Sequence, residues 1–129
     1  MSDMTVKKQR PVWYNLSPVN LPVPGIVSIL HRISGLLLVF GLIWFMYLFD
    51  LSLKSAEDFS VLKHYTSLPL VKLGFLAMLW AFLHHFCAGI RFLFLDVQKG
   101  VELATARATS FVVFAASLLL TVLLGAKLW

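Results

Sequence analysis

Residues 80–91 read Trp-Ala-Phe-Leu-His-His-Phe-Cys-Ala-Gly-Ile-Arg and place two adjacent histidines inside a long apolar segment. A helix needs about 20 consecutive apolar residues to cross a bilayer, and the segment that contains this stretch, residues 68–95, is long enough. An imidazole in hydrocarbon is costly and therefore usually marks a functional site. The stretch thus predicts a membrane-spanning helix that carries a polar site.

The two histidines lie on different faces of the predicted helix, because residues three, four, seven and eight positions apart share a face. The His84 face is bulky and polar, whereas the His85 face carries mostly small residues, namely Ala77, Met78, Ala81, Ala88, Gly89 and Phe92. Small residues on membrane helices permit close packing. Either a flat macrocycle ligated by His85 and lying over Gly89 or a neighbouring helix would use this groove. We expect His85, and not His84, to be a ligand, and hydrogen-bonded packing is the alternative.

The composition predicts a membrane protein. Of the 129 residues, 60% are hydrophobic, and the mean hydropathy is +0.87. A soluble domain of this size could not bury so much apolar surface. Two further apolar runs cover residues 26–49 and 108–127, and no segment alternates with the period of a barrel strand. We therefore predict an all-α membrane protein, with a tail at residues 1–25 and a domain of three transmembrane helices at residues 26–129.

Basic residues predict the orientation of these helices. They precede the first helix and flank the connection between the second and third, at Lys7, Lys8, Arg10, Arg91, Lys99 and Arg107. Because basic residues favour the cytoplasmic side, we expect a cytoplasmic N-terminus and an outer C-terminus. The net charge of +5 then reflects topology and lipid contact. Aromatic and basic residues do not interleave on a soluble platform, so nucleic acid is not an expected partner.

The chain has one cysteine, Cys87. One thiol cannot form a disulfide within the chain, nor hold an iron–sulfur cluster or a zinc site of its own.

In the tail, four prolines prevent a continuous helix, while Trp13 and Tyr14 suit the headgroup level of a bilayer. The tail is therefore either interfacial or a strap against a soluble partner.

A polar stripe opens the first predicted helix, where Ser28, His31, Arg32 and Gly35 stand at helical spacings of three, four and seven. This stripe predicts a pocket for an acceptor-rich or anionic group, whereas Arg32 by itself could simply anchor to lipid phosphate. Consecutive helices run antiparallel, so His31 and Arg32 should reach a depth comparable to that of His85. A ligand on His85 could then present an acidic edge to them, provided that the two helices are neighbours.

The remaining segments carry weaker signals. Residues 51–67 form an external connection, in which Ser55 resembles the N-cap of a small helix and His64 should be solvated. Asp96 either caps its helix, pairs with Arg91, or delivers protons from cytoplasmic water. The third helix carries a stripe for close packing, formed by Ser110, Ser117, Thr121 and Gly125.

Two motifs together carry a resemblance that spans nearly the whole chain. After Arg10-Pro11, the sequence has Ser28-x-x-His31-Arg32-x-Ser34-Gly35 and then His85-x-x-x-Gly89-Ile90-Arg91-Phe92, with Asp96 beyond. This pattern resembles the cytochrome b membrane-anchor subunit of bacterial succinate dehydrogenase, in the succinate:quinone oxidoreductase family. The resemblance implies half of a two-subunit helical bundle that holds one haem b, with one axial histidine from each chain.

The resemblance also implies roles for individual residues. His85 matches the axial haem ligand, and His31 with Arg32 matches the haem-propionate side. Ser28 and Arg32 match residues that line the ubiquinone site, and Asp96 matches an acidic position near it. No residue of this chain is implied to oxidise succinate.

The implied partners are a second hydrophobic anchor, an iron–sulfur subunit, a flavoprotein subunit, ubiquinone and lipid, in the bacterial inner membrane with a periplasmic C-terminus. Such a complex passes electrons from succinate, a tricarboxylic acid cycle intermediate, to quinone. Three alternatives remain open, namely a small transporter or channel subunit without haem, a structural anchor that has lost haem, and a fumarate reductase anchor.

Overall fold

The computed structural model describes residues 21–128, which contain helices and no strand. The helices are α1 (Val23–Lys54), α2 (Ala56–Ser67), α3 (Pro69–Asp96) and α4 (Leu103–Leu128). Of these, α1, α3 and α4 are long and apolar enough to cross a membrane. The predicted all-α membrane protein with three spanning helices is confirmed. Residues 1–20, which include Trp13, Tyr14 and most of the predicted tail, lie outside the described part.

Helix α1 is longer than the apolar run that predicted it. Pro24 lies in its first turn, where a missing N–H costs nothing. At the other end the helix continues to Lys54, whose Nζ lies 3.0 Å from an Asp50 carboxylate oxygen. This exposed pair, four residues apart, contributes only a few tenths of a kcal/mol. Hydropathy could not reveal the extension, because its residues lie beyond the apolar core of the segment.

The connection at residues 51–67 is mostly helix α2. The Ser55 hydroxyl accepts a hydrogen bond from the backbone N–H of Asp58 at 3.0 Å, so the predicted N-cap is confirmed. Glu57 and Asp58 place negative charge in the first turn, where the helix dipole favours it. No residue of α2 is buried, and His64 is exposed as expected.

Helix α3 ends in a tight turn that leads to α4. Gln98 and Gly100 have left-handed backbone angles, with φ of 60° and 78°. Between them, the backbone N–H of Lys99 donates to the Phe94 carbonyl at 2.9 Å. Helix α4 begins at Leu103, five residues before the apolar run that starts at residue 108. Residues 103–107 include two alanines, which favour helix without adding to the apolar stripe.

Helix α3 packs against both α1 and α4. On α4, Ser110 and Ser117 are completely buried and Gly125 is buried. A Cβ atom on Gly125 would lie 2.6 Å from Leu76 Cδ2, so a larger residue there would require the Leu76 side chain of α3 to move. The Ser110 hydroxyl donates to the Ala106 carbonyl of its own helix at 2.7 Å. The predicted packing role of the stripe is therefore confirmed for Ser110, Ser117 and Gly125, and Gly125 faces α3.

The outward surface of the single chain is strongly apolar. Leu36, Phe40 and Ile43 on α1 are 61%, 63% and 66% exposed, and Val122 on α4 is 66% exposed. Contiguous apolar surface of this kind requires lipid or another protein to cover it. The interior of the bundle is correspondingly small, with Val27, Ala88 and Val113 at its centre.

Candidate functional site

His85 reaches from α3 to the backbone of α1. Its Nδ1 atom lies 3.0 Å from the His31 carbonyl oxygen and 3.3 Å from the Ser34 hydroxyl oxygen. The Ser34 hydroxyl donates to the same carbonyl at 2.9 Å. A carbonyl can only accept, so the His85 bond assigns the ring proton to Nδ1 and leaves Nε2 with a free lone pair. Metal-binding histidines are commonly oriented by such a bond through their other nitrogen.

Gly35 makes room for the paired imidazoles, whereas Gly89 meets His31 at an ordinary contact distance. The His85 ring stacks on the His31 ring, with centroids 4.0 Å apart and an angle of 11° between planes. A Cβ atom on Gly35 would lie 2.9 Å from His85 Cε1, and one on Gly89 would lie 3.7 Å from His31 Nε2. The expected convergence of His31 with His85 is therefore confirmed. The groove on the His85 face holds a neighbouring helix, α1, and Gly89 faces His31.

His84 belongs to a separate, fully buried cluster. Its ring has no exposed surface and stacks between Trp80 at 5.2 Å and Phe114 at 5.6 Å, measured between centroids. Neither ring nitrogen forms a hydrogen bond with a described residue. His84 thus packs α3 against α4, on a different face from the His31–His85 pair.

The polar stripe of α1 divides between the interior and the surface. His31 and Gly35 contact α3, and Ser28 is half-buried. Arg32 is exposed, and it forms no hydrogen bond or ion pair with any residue in 21–128. Within the single chain, the stripe is wider than the contact between α1 and α3, and Arg32 lies outside that contact.

Arg91 turns away from the paired imidazoles and toward α4. It is 7% exposed, and its Nε donates to the Thr109 hydroxyl at 3.1 Å. A second donor, on Nη2, reaches the Ala106 carbonyl at 3.3 Å. Asp96 is exposed at the end of α3, and no ion pair joins it to Arg91. The alternative in which Asp96 pairs with Arg91 is therefore wrong, because the guanidinium bonds Thr109 and Ala106 of α4 instead.

Sequence reasoning missed several residues of the site. Ser34, 1% exposed, lies between the His31 carbonyl and the His85 ring, but it falls outside the polar stripe. Its place three residues after His31 was the available signal, since a helical serine often bonds a carbonyl one turn back. Phe114 and Thr109 come from α4, and nothing local marks them as neighbours of His84 and Arg91.

The family profile of the succinate dehydrogenase/fumarate reductase transmembrane subunit matches residues 6–124. This chain belongs to that family. The succinate dehydrogenase cytochrome b556 subunit of Coxiella burnetii is 35% identical over 125 residues, which cover 94% of this chain and 98% of that one. The Rickettsia felis subunit of the same name is 32% identical over 122 residues, covering 92% and 93%. That of Paracoccus denitrificans is 31% identical over 130 residues, covering 95% and 94%.

The resemblance drawn from the two motifs is thus confirmed at the level of the family. As a member of this family of transmembrane subunits with three apolar spanning helices, the chain is a multi-pass membrane protein. Within this family member, the His31–His85 pair lies between α1 and α3, and the exposed Arg32 follows His31 directly.

Proposed function

We propose that this chain is the cytochrome b anchor of a succinate:quinone oxidoreductase, and that His85 is an axial ligand of a haem b shared with a second anchor subunit. One observation supports the proposal: the Nδ1 atom of His85 lies 3.0 Å from the His31 carbonyl oxygen, so the ring proton is on Nδ1 and the lone pair of Nε2 is free to bind a metal. The relatives named cytochrome b556 subunit support the choice of haem.

The residues around His85 fit this group. The ring is held on one side by His31 and by the bare backbone of Gly35, so its orientation is set without a bulky side chain. His31 and Arg32 are the side chains that would meet the propionates. When bound, the haem supplies one-electron redox capacity. This chain contributes ligation by His85, orientation of the ring through the His31 carbonyl, and positive charge from Arg32.

The N-terminal part of α1, which carries His31, also offers a site for ubiquinone. Arg32 is exposed and free of partners in the described chain, and Ser28 lies one turn before it. In the proposed site the Ser28 hydroxyl and the Arg32 guanidinium donate to a quinone oxygen. They stabilise the negative charge that develops there on reduction. Asp96, exposed at the end of α3, provides a carboxylate on the proposed proton-delivery side.

The assembly is also part of the proposal. A second hydrophobic anchor would cover apolar surface that the single chain exposes. An iron–sulfur subunit and a flavoprotein subunit would oxidise succinate, because this chain has a single cysteine and no dinucleotide-binding motif. The N-terminus would be cytoplasmic and the C-terminus periplasmic, in the bacterial inner membrane. In a fumarate reductase, the same anchor residues would serve electron transfer in the opposite direction, from quinol to fumarate.

A reduced-minus-oxidised spectrum of the purified complex tests the haem assignment. We expect a b-type α band in the wild type that is lost in His85→Ala and kept in His84→Ala. The adjacent histidine is a matched control, since it lies in the same helix and packs against α4 instead. The ligand assignment fails if His84→Ala removes the band and His85→Ala does not. A wild-type complex without pigment would favour a transporter subunit or a structural anchor.

A further inference from the structure

A cavity of about 330 Å³ lies between α3 and α4, apart from the His31–His85 pair. Its polar lining includes Arg91, Lys99 and Thr109, and its apolar walls include Ile90, Phe94 and Val112. Among the described residues that line it, none is acidic. The cavity therefore combines two cations with an apolar wall at one end of the bundle.

The buried guanidinium of Arg91 has donors to spare. Of its five N–H groups, the bonds to Thr109 and Ala106 use two. The Phe92 ring, 5.6 Å from Cζ, contacts the guanidinium without accepting a conventional hydrogen bond. Since Arg91 also lines the cavity, the unused donors are available to an anion there. No residue in 21–128 accepts a hydrogen bond from the remaining donors, so an anion in the cavity would form charge-assisted hydrogen bonds with Arg91.

The position of the cavity matches the headgroup level of a bilayer. Arg91 lies five residues before Asp96, or roughly 7.5 Å from the end of α3 at 1.5 Å per residue. Lys99 follows in the turn that the left-handed Gln98 and Gly100 create. Arg91 thus lies inside the last turns of α3 and Lys99 lies just beyond its end. The apolar wall of the cavity lies next to both side chains.

We propose that this cavity binds the phosphodiester headgroup of an anionic phospholipid. Arg91 and Lys99 contact the phosphate, and the acyl chains lie along Ile90, Phe94 and Val112. Basic pockets between transmembrane helices are suited to such headgroups. The proposal is independent of haem and quinone binding, because none of their proposed residues lines the cavity.

Native mass spectrometry of the purified, delipidated complex tests this site by titration with phosphatidylglycerol or phosphatidylcholine of the same acyl chains. We expect phosphatidylglycerol to bind at lower concentration. Lys99→Glu should weaken its binding roughly thirtyfold, because it changes the charge near the headgroup by two. Lys63→Glu is the matched control, because Lys63 is an exposed lysine on α2, in the other connection of the bundle.

Two further measurements locate the lipid. Arg91 itself is not replaced, since its bonds to α4 would be lost. Val112→Trp instead fills the cavity without changing charge, and should also weaken phosphatidylglycerol binding. A phosphatidylglycerol with a photoreactive acyl chain should crosslink to α3 and α4 peptides around residues 90–112.

Each alternative outcome overturns the proposal. Equal binding of both lipids, or equal effects of Lys99→Glu and Lys63→Glu, would exclude a specific anionic-lipid site. Displacement of the lipid by millimolar inorganic phosphate would indicate a small-anion site. Crosslinks from residues 90–112 to a partner polypeptide in place of lipid would show that protein covers the cavity.

Discussion

The imidazoles of His31 and His85 lie parallel, with centroids 4.0 Å apart and 11° between their planes. The same residue, His31, supplies the carbonyl that lies 3.0 Å from His85 Nδ1. Helix α1 thus packs against one face of the His85 ring and also holds the ring proton on Nδ1. The orientation of His85 depends on how closely α1 approaches α3, and any residue that separates these helices should disturb it.

Gly35→Ala should lower the haem content of the complex. Its Cβ atom would lie 2.9 Å from His85 Cε1, so the ring or the helix must move. Gly74→Ala is the control, because its Cβ would meet Trp44 at an ordinary contact distance of 3.9 Å, and alanine favours helix by about 1 kcal/mol. Haem per complex is measured from the reduced α band. Equal haem content in the two variants would contradict the close approach of α1.

His84→Ala should reduce thermal stability while the pigment remains. The fully buried ring fills the space between Trp80 and Phe114, and removing a buried side chain of this size costs about 2–5 kcal/mol. His84→Phe retains an aromatic ring and should recover most of the loss. The melting temperature of the purified complex measures both effects. A larger loss in His84→Phe than in His84→Ala would mean that the imidazole nitrogens matter more than packing.

Arg32→Leu should lower succinate–quinone reductase activity by roughly a hundredfold, because a donor to the developing negative charge is lost. Ser28→Ala should act in the same direction with smaller effect. Succinate-dependent reduction of a soluble dye should stay near the wild-type rate, since the proposed soluble subunits would perform it without quinone. Arg107→Leu, another exposed arginine, serves as the control. Parallel loss of both activities would show that the substitutions act on assembly instead of on quinone.

Ser117→Leu should separate α4 from α3. Ser117 is completely buried, and forcing extra methyl groups into a filled interface costs about 1–3 kcal/mol. Ala115→Leu places the same side chain on an exposed position of α4 and should leave stability unchanged. Thermal unfolding of the two variants in the same detergent makes the comparison. If both melt alike, the small-residue stripe does not set the helix spacing.

The local sequence pattern predicted most of the helices, but fewer of the side-chain contacts around His84 and His85. The Ser55 cap and the buried stripe of α4 follow from short-range geometry, and both are observed. The helix ends were predicted less well, since α1 and α4 extend beyond their apolar runs. Hydropathy marks the part of a helix that lies in lipid, whereas backbone hydrogen bonding continues wherever the residues permit it.

The sequence by itself determined the three spanning helices and the separate faces of His84 and His85, because both depend on apolar length and on the periodicity of one helix. Only the tertiary structure decided the partners of these side chains. Ser34 and the His31 carbonyl meet His85 across 51 and 54 residues, and Arg91 bonds α4 instead of Asp96. Such pairings depend on which helices are in contact and on how each helix is rotated about its axis. The sequence of one helix does not specify the rotation of its neighbour.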